Sequence, residues 1–171
     1  MADRAHALDA FLARSGWGRA DRRHLAGDAS DRRYERLRLG AATAILMDNP
    51  PGGADDPAAF SAMARHLRRL GLSAPAILAE DLGQGFLLLE DLGDDLFARL
   101  LQADPPREAE LYAPAVDVLV HLQGAAPPEG LPNLSAGDWA LAAGFALDVD
   151  DFAATGKRPD ASGFTAAFHS D

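Results

Sequence analysis

The sequence predicts an α+β fold in two parts: residues 1–92 mix strands with helices, and residues 93–171 are helical. Three observations carry this. Strand-type and helix-type hydrophobic patterns alternate as far as Leu89, and beyond Gly93 the strand patterns stop. The 171 residues leave room for one domain, or for one and a piece of a second. Hydrophobic residues at 48% and charged residues at 25% are an ordinary globular mix, which excludes a disordered chain, a collagen and a coiled coil.

The elements follow in order. Leu8, Phe11 and Leu12 share one face of a helix over 4–15, with Gly16 as its stop. Residues 23–26 form a short strand, and Gly27 to Ser30 a turn. Tyr34, Leu37 and Leu39 lead a second strand that Gly40 closes; residues 43–47 form a third, which the run Asp48 to Gly53 ends. Pro57 suits a first helical turn. Phe60, Met63, Ala64, Leu67 and Leu70 then make a helical stripe, with Gly71 as C-cap. Residues 76–79 are a short strand, and Phe86 to Leu89 a continuous apolar run expected to be a buried strand. Leu96, Phe97, Leu100 and Leu101 have helix spacing. Leu111 to Leu122 define a longer helix ending near Gly124. After a Pro- and Gly-rich loop at 127–132, Ser135 is placed to N-cap a helix through Trp139, Leu141, Phe145 and Leu147. A last short helix is expected over 161–168.

Charge and composition exclude several function classes. Sixteen Lys and Arg against 26 Asp and Glu give a net charge of −10, the wrong sign for a phosphate backbone, so no nucleic-acid partner is expected. No apolar run approaches the ~20 residues of a membrane helix, and the N-terminal stretch is polar, so no membrane partner is expected and a cytoplasmic location is. There is no Cys, which removes disulfides and thiolate metal sites. The five histidines show no HExxH spacing, and no G-x-S-x-G elbow is present. Asp148, Asp150 and Asp151 lack the glycine and distal glutamate of a calcium loop and read as a solvated helix end.

Two segments allow chemistry. Gly27-Asp28-Ala29-Ser30, between two strands, can present backbone N–H groups and a hydroxyl to an anion, with Arg32 and Arg33 adding charge. Taken locally, one glycine is a weak phosphate signal, and an ordinary hairpin turn with two solvated arginines is the stronger reading. Glu90-Asp91-Leu92 follows a buried strand and precedes a helix, a crossing where backbone groups are free to meet a planar base. Taken locally, an acidic helix N-terminus favoured by the dipole is the stronger reading.

The order and wording of these segments resemble a family. Leu25 to Leu37 is similar to the nucleotide-loop hairpin of aminoglycoside-phosphotransferase-like kinases. The subgroup it resembles most phosphorylates the anomeric hydroxyl of N-acetylmuramate and N-acetylglucosamine. Leu46-Met47-Asp48-Asn49-Pro50-Pro51 resembles that subgroup's third-strand motif, Phe86 to Asp94 its hinge, and Leu119-Val120-His121-Leu122 a helix of its C-terminal lobe. The resemblance covers residues 1 to about 125 well.

It implies a kinase-like N-lobe over 1–92, a curled antiparallel sheet with a helix between its third and fourth strands, and a partial helical C-lobe over 93–171. ATP lies between them, with Mg²⁺ as the family's metal and an amino sugar as acceptor in cell-wall recycling. Gly27, Asp28, Ala29 and Ser30 would cover the phosphates, and Met47 would lie near the junction of adenine and phosphate. Glu90, Asp91 and Leu92 would present backbone groups to adenine. The family's H-x-D-x-x-x-x-N loop is absent; His169-Ser170-Asp171 has only the first spacing and is read as chance. No catalytic residue and no metal ligand is therefore assigned. Met47 or Asp48 stands where the third-strand Lys belongs, and Arg33 is the candidate to supply its charge. The expectation is a truncated sugar kinase, inactive alone. The alternative is a non-catalytic module that binds nucleotide or a partner, with self-association through an exposed C-lobe face.

Overall fold

A computed structural model describes residues 2–25, 32–52, 56–131 and 133–146. The protein is α+β, and its chain divides into two compact units, Met1–Pro128 and Glu129–Asp171. The described part of the first unit contains α1 (Ala2–Arg14), β1 (Asp21–His24), β2 (Arg33–Leu39), β3 (Ala42–Asp48), α2 (Pro57–Arg69), β4 (Ile77–Asp81), β5 (Phe86–Glu90), α3 (Phe97–Ala103) and α4 (Glu108–Gln123). A 3-10 turn, Pro105–Arg107, joins the last two helices and has no counterpart in the periodicity reading.

The five strands form one antiparallel sheet in the order β1-β2-β3-β5-β4. Its two faces follow from strand alternation, which sends successive side chains to opposite sides. Leu37, Ala44, Leu46, Phe86 and Leu88 point to one side, where Leu8, Phe11 and Leu12 of α1 complete a buried core. Met47, Leu87 and Leu89 point to the other, joined by Tyr34, Ile45, Ile77 and Phe60 of α2. The apolar run of β5 is buried on both faces because a helix covers each side.

Local signals set the ends of α2. Asp56 is its N-cap and accepts from the Ala58 N–H at 2.8 Å, with Pro57 in the first turn. At the other end, Gly71 takes φ +79 and its N–H donates to Arg68 O, while the Leu72 N–H donates to Leu67 O. The imidazole of His121 on α4 lies 2.9 Å from Leu70 O and donates to it through Nε2, satisfying a carbonyl that helix ending leaves free. That is a capping role.

β1 begins at Asp21, two residues before the expected 23–26. Its sequence Asp-Arg-Arg-His is exposed throughout, so it carries no apolar alternation by which to be found. Charge along an edge strand also discourages pairing with another chain. In the second unit, α5 (Ala136–Ala146) opens on a reciprocal cap. The Ser135 hydroxyl accepts from the Asp138 N–H, and the Asp138 carboxylate accepts from the Ser135 N–H at 2.8 Å and from its hydroxyl at 2.7 Å. The Ser135 hydroxyl, with the backbone N–H behind it, holds the Asp138 carboxyl below the usual range. The helix expected over 161–168, the aspartates 148, 150 and 151, and His169 lie outside the described residues.

Candidate functional site: a cleft under the sheet beside the 90–94 hinge

The α2 side of the sheet carries two cavities, one after the other along β3. The first, ≈ 260 Å³, is lined by Leu25, Arg36, Ile45, Pro75, Leu89 and the turn Glu90 to Asp94. The second, ≈ 460 Å³, is lined by Arg32, Met47, Asn49, Asp56, Ala59, Phe60 and Met63. Ile45 and Met47 are two apart in one strand, so the cavity floors are displaced by about 7 Å along it. The first has Leu25, Ile45 and Leu89 as apolar walls beside the turn, and the second, wider one has Arg32 in its lining.

The turn after β5 supplies the backbone. The last ladder pair is Ala44 with Glu90. Among the described residues, the peptide groups of Asp91 and Leu92 then make no backbone hydrogen bond. The Glu90 side chain turns away from the slot: its Oε2 accepts from the Ala76 N–H at 2.9 Å and from Arg68 at 3.3 Å. The Asp91 side chain is largely buried, and its Oδ1 accepts from the Gly93 N–H at 3.0 Å. Leu92 is exposed. Of the sequence-predicted hinge residues, the structure therefore brings Glu90, Asp91 and Leu92 to one cavity; the Glu90 N–H is taken by Ala76 O at 2.9 Å, and the carboxylates of Glu90 and Asp91 are engaged within the protein.

Arg36, which sequence reasoning missed, grips this turn from β2. Its Nε lies 2.9 Å from Asp91 Oδ2, off the line of a directed hydrogen bond, and its Nη2 donates to Asp91 Oδ1 at 3.1 Å. Nη1 and Nη2 donate to the two oxygens of Asp94 at 2.6 and 3.0 Å. The hydrogen bond to Asp94 and then that to Asp91 raise the guanidinium's pKa, while the first of these bonds holds the Asp94 carboxyl below its usual range.

Met47, one of the two residues read at the place of the third-strand Lys, lines the second cavity. Asp48 is on the opposite face, where Arg4 of α1 bonds it through Nε at 3.0 Å and places its guanidinium 4.5 Å from the Phe86 ring centroid. Arg33 pairs in register with Asp48 and alternates with Tyr34, which puts it on the α1 side as well. It is Arg32, one residue earlier, that lines the cavity with Met47. Gly27, Asp28, Ala29 and Ser30 lie outside the described residues. Among the described residues, no group of three His, Asp or Glu is placed to hold a metal ion, and no helix is long and apolar enough to cross a membrane.

No family model matches the chain. It is 38% identical over 177 residues to a protein of Caulobacter vibrioides named N-acetylmuramate/N-acetylglucosamine kinase, a match covering 88% of this chain and 47% of that protein. Proteins of the same name from Pseudomonas aeruginosa and Pseudomonas putida are 38% identical over 119 residues and 34% identical over 108. Those matches cover 68% and 63% of this chain, and 34% and 31% of the relatives. The chain thus spans less than half the length of each of these curated relatives, and the resemblance stated from its motifs is matched by sequence kinship across most of its length.

Proposed function

We propose, from its kinship with the N-acetylmuramate/N-acetylglucosamine kinases, that this chain is the nucleotide-holding part of an amino-sugar kinase. The observation that carries this is the hinge cavity: a slot between Leu25, Ile45 and Leu89 beside the peptide groups of Asp91 and Leu92, which make no backbone hydrogen bond among the described residues. An adenine ring needs both features, apolar walls for its faces and backbone donors and acceptors for its edge. The second cavity would take the phosphates, with the 27–30 loop over them and Arg32 at the rim. ATP as donor places the protein in the cytoplasm under this reading, in the recycling of cell-wall amino sugars. A kinase needs a metal, but the described residues offer no three-ligand site. The role proposed for this chain is therefore to bind and orient the nucleotide. The sequence has no H-x-D-x-x-x-x-N loop to position an attacking hydroxyl.

ATP at 100 times its dissociation constant should add about 2.7 kcal/mol to the stability of this chain, read as a rise in melting temperature, while N-acetylmuramate with ATP yields no sugar phosphate. No rise at saturating ATP would refute the binding; phosphorylated sugar would refute the inactivity.

The exposed apolar side chains of α3 and α4 favour a second, compatible reading. Phe97, Tyr112, Val116, Leu119 and Val120 are all exposed, Val120 at 64%, and apolar patches of this kind mark surfaces that another polypeptide covers. On α5, Leu141 is exposed at 76%, whereas the side chain of Phe145 and the whole of Leu147 are outside the described residues. Self-association through this helical surface should appear as concentration-dependent sedimentation. A single monomeric species across the range would rule it out.

A further inference from the structure

Arg36 bridges parts of the chain that are far apart in sequence. It leaves the middle of β2 on the cavity side and reaches Asp91 and Asp94, 55 and 58 residues on. Both carboxylates belong to the turn that lines the base slot, and so does Arg36 itself.

The sheet does not need this grip. β2 is already zipped to β3 from Arg33–Asp48 to Leu39–Ala42, and β3 to β5 as far as Ala44–Glu90. The turn 91–94 lies beyond that last pair, where no ladder bond sets its distance from β2. Arg36 sets it. A guanidinium forks across two carboxylates with a fixed geometry that a lysine lacks. The carboxylate it holds, Asp91, in turn fixes the Gly93 N–H.

We infer that Arg36 is a positioning residue of the nucleotide-base site, holding residues 91–94 at the spacing from β2 and β3 that a purine requires. This rests on the nucleotide-binding reading. Without Arg36, the mostly buried Asp91 charge has lost its partner and must move toward water. The backbone it anchors moves with it.

The test is adenosine binding by titration calorimetry, beside the melting temperature, for the chain and four variants. Arg36→Met should weaken adenosine binding at least tenfold. Arg36→Lys, which keeps the charge but not the fork, should recover part of it. Asp94→Ala changes an exposed carboxylate and leaves Asp91 paired; it should weaken binding about threefold, and it decides the matter if Arg36→Met does not fold. Leu37→Ala, on the opposite face of the same strand and fully buried, should lower the melting temperature yet leave adenosine affinity unchanged. Unchanged adenosine affinity in folded Arg36→Met, or in Asp94→Ala where Arg36→Met fails, would overturn the inference. So would a loss in Leu37→Ala equal to that in Arg36→Met. If the unaltered chain binds no adenosine, the nucleotide reading itself falls and takes this inference with it.

Discussion

Replacing Gly85 by Ala should destabilise the first unit by about 3 kcal/mol or more. Gly85 sits in the β4–β5 turn with φ +72, a conformation that L side chains adopt at a cost of roughly 1 kcal/mol. A Cβ there would also meet the Asn49 carbonyl oxygen at 1.8 Å and its carbon at 3.0 Å. Both are backbone atoms, so no side-chain rotation relieves the clash. The chain must separate where Asn49 N–H donates to Gly85 O at 2.9 Å, which is where the chain continues past the end of the β3–β5 ladder. Gly71→Ala is the matched control. Its φ is +79, but nothing lies within 4 Å of the added methyl, so about 1 kcal/mol is expected. Urea unfolding followed by tryptophan fluorescence reads both. Equal losses for the two variants would mean that the backbone approach at Asn49 does not exist in solution.

Phe11→Ala should cost about 3–5 kcal/mol, the usual range for a buried phenylalanine. Phe11 is 1% exposed and its ring centroid lies 5.6 Å from that of Phe86, itself fully buried on β5. It is the central contact by which α1 covers one face of the sheet, with Leu8 and Leu12 on either side. Truncation leaves a void between helix and sheet that Leu37, Leu46 and Leu88, fixed by strand register, are poorly able to fill. Domains of this size have only about 5–15 kcal/mol in hand, so the unfolding midpoint should fall sharply. A loss below about 1 kcal/mol would show that α1 does not pack on this face.

Much of this architecture could be read from the chain, and what could not has physical reasons. Helices with a single covered face, α1 and α2, announce themselves by spacing, because burial on one side requires apolar residues every three to four positions. The run Phe86 to Leu89 was legible as a buried strand because helices cover both sides of it. β1 was misplaced by two residues because an exposed edge strand needs no apolar alternation. α2 begins at Pro57, where the sequence places its first turn, and the Asp56 cap before it is a start signal that the apolar stripe does not carry.

The order of motifs points to Glu90, Asp91 and Leu92, which line one cavity, but not to Arg36, which lines it too. Its meaning depends on two carboxylates more than fifty residues away, and local sequence shows only one charge among four in a strand. Which arginine lies beside Met47 turned on parity. Arg33 alternates to the α1 side with Asp48, and Arg32 falls at the rim of the Met47 cavity. A period of two makes a one-residue difference decisive.

The central claim is that a nucleotide base sits against the turn 90–93. The most direct test is to record amide chemical shifts of the isotope-labelled chain during titration with a non-hydrolysable ATP analogue. The account predicts saturable shifts for Asp91, Leu92, Gly93, Ile45 and Leu89, with Ala13 of α1 and Arg19 beyond it unmoved. Shifts confined to other surfaces, such as the apolar groove between Gly71–Ala74 and Val118 and Leu122, or no shifts at all, would contradict it.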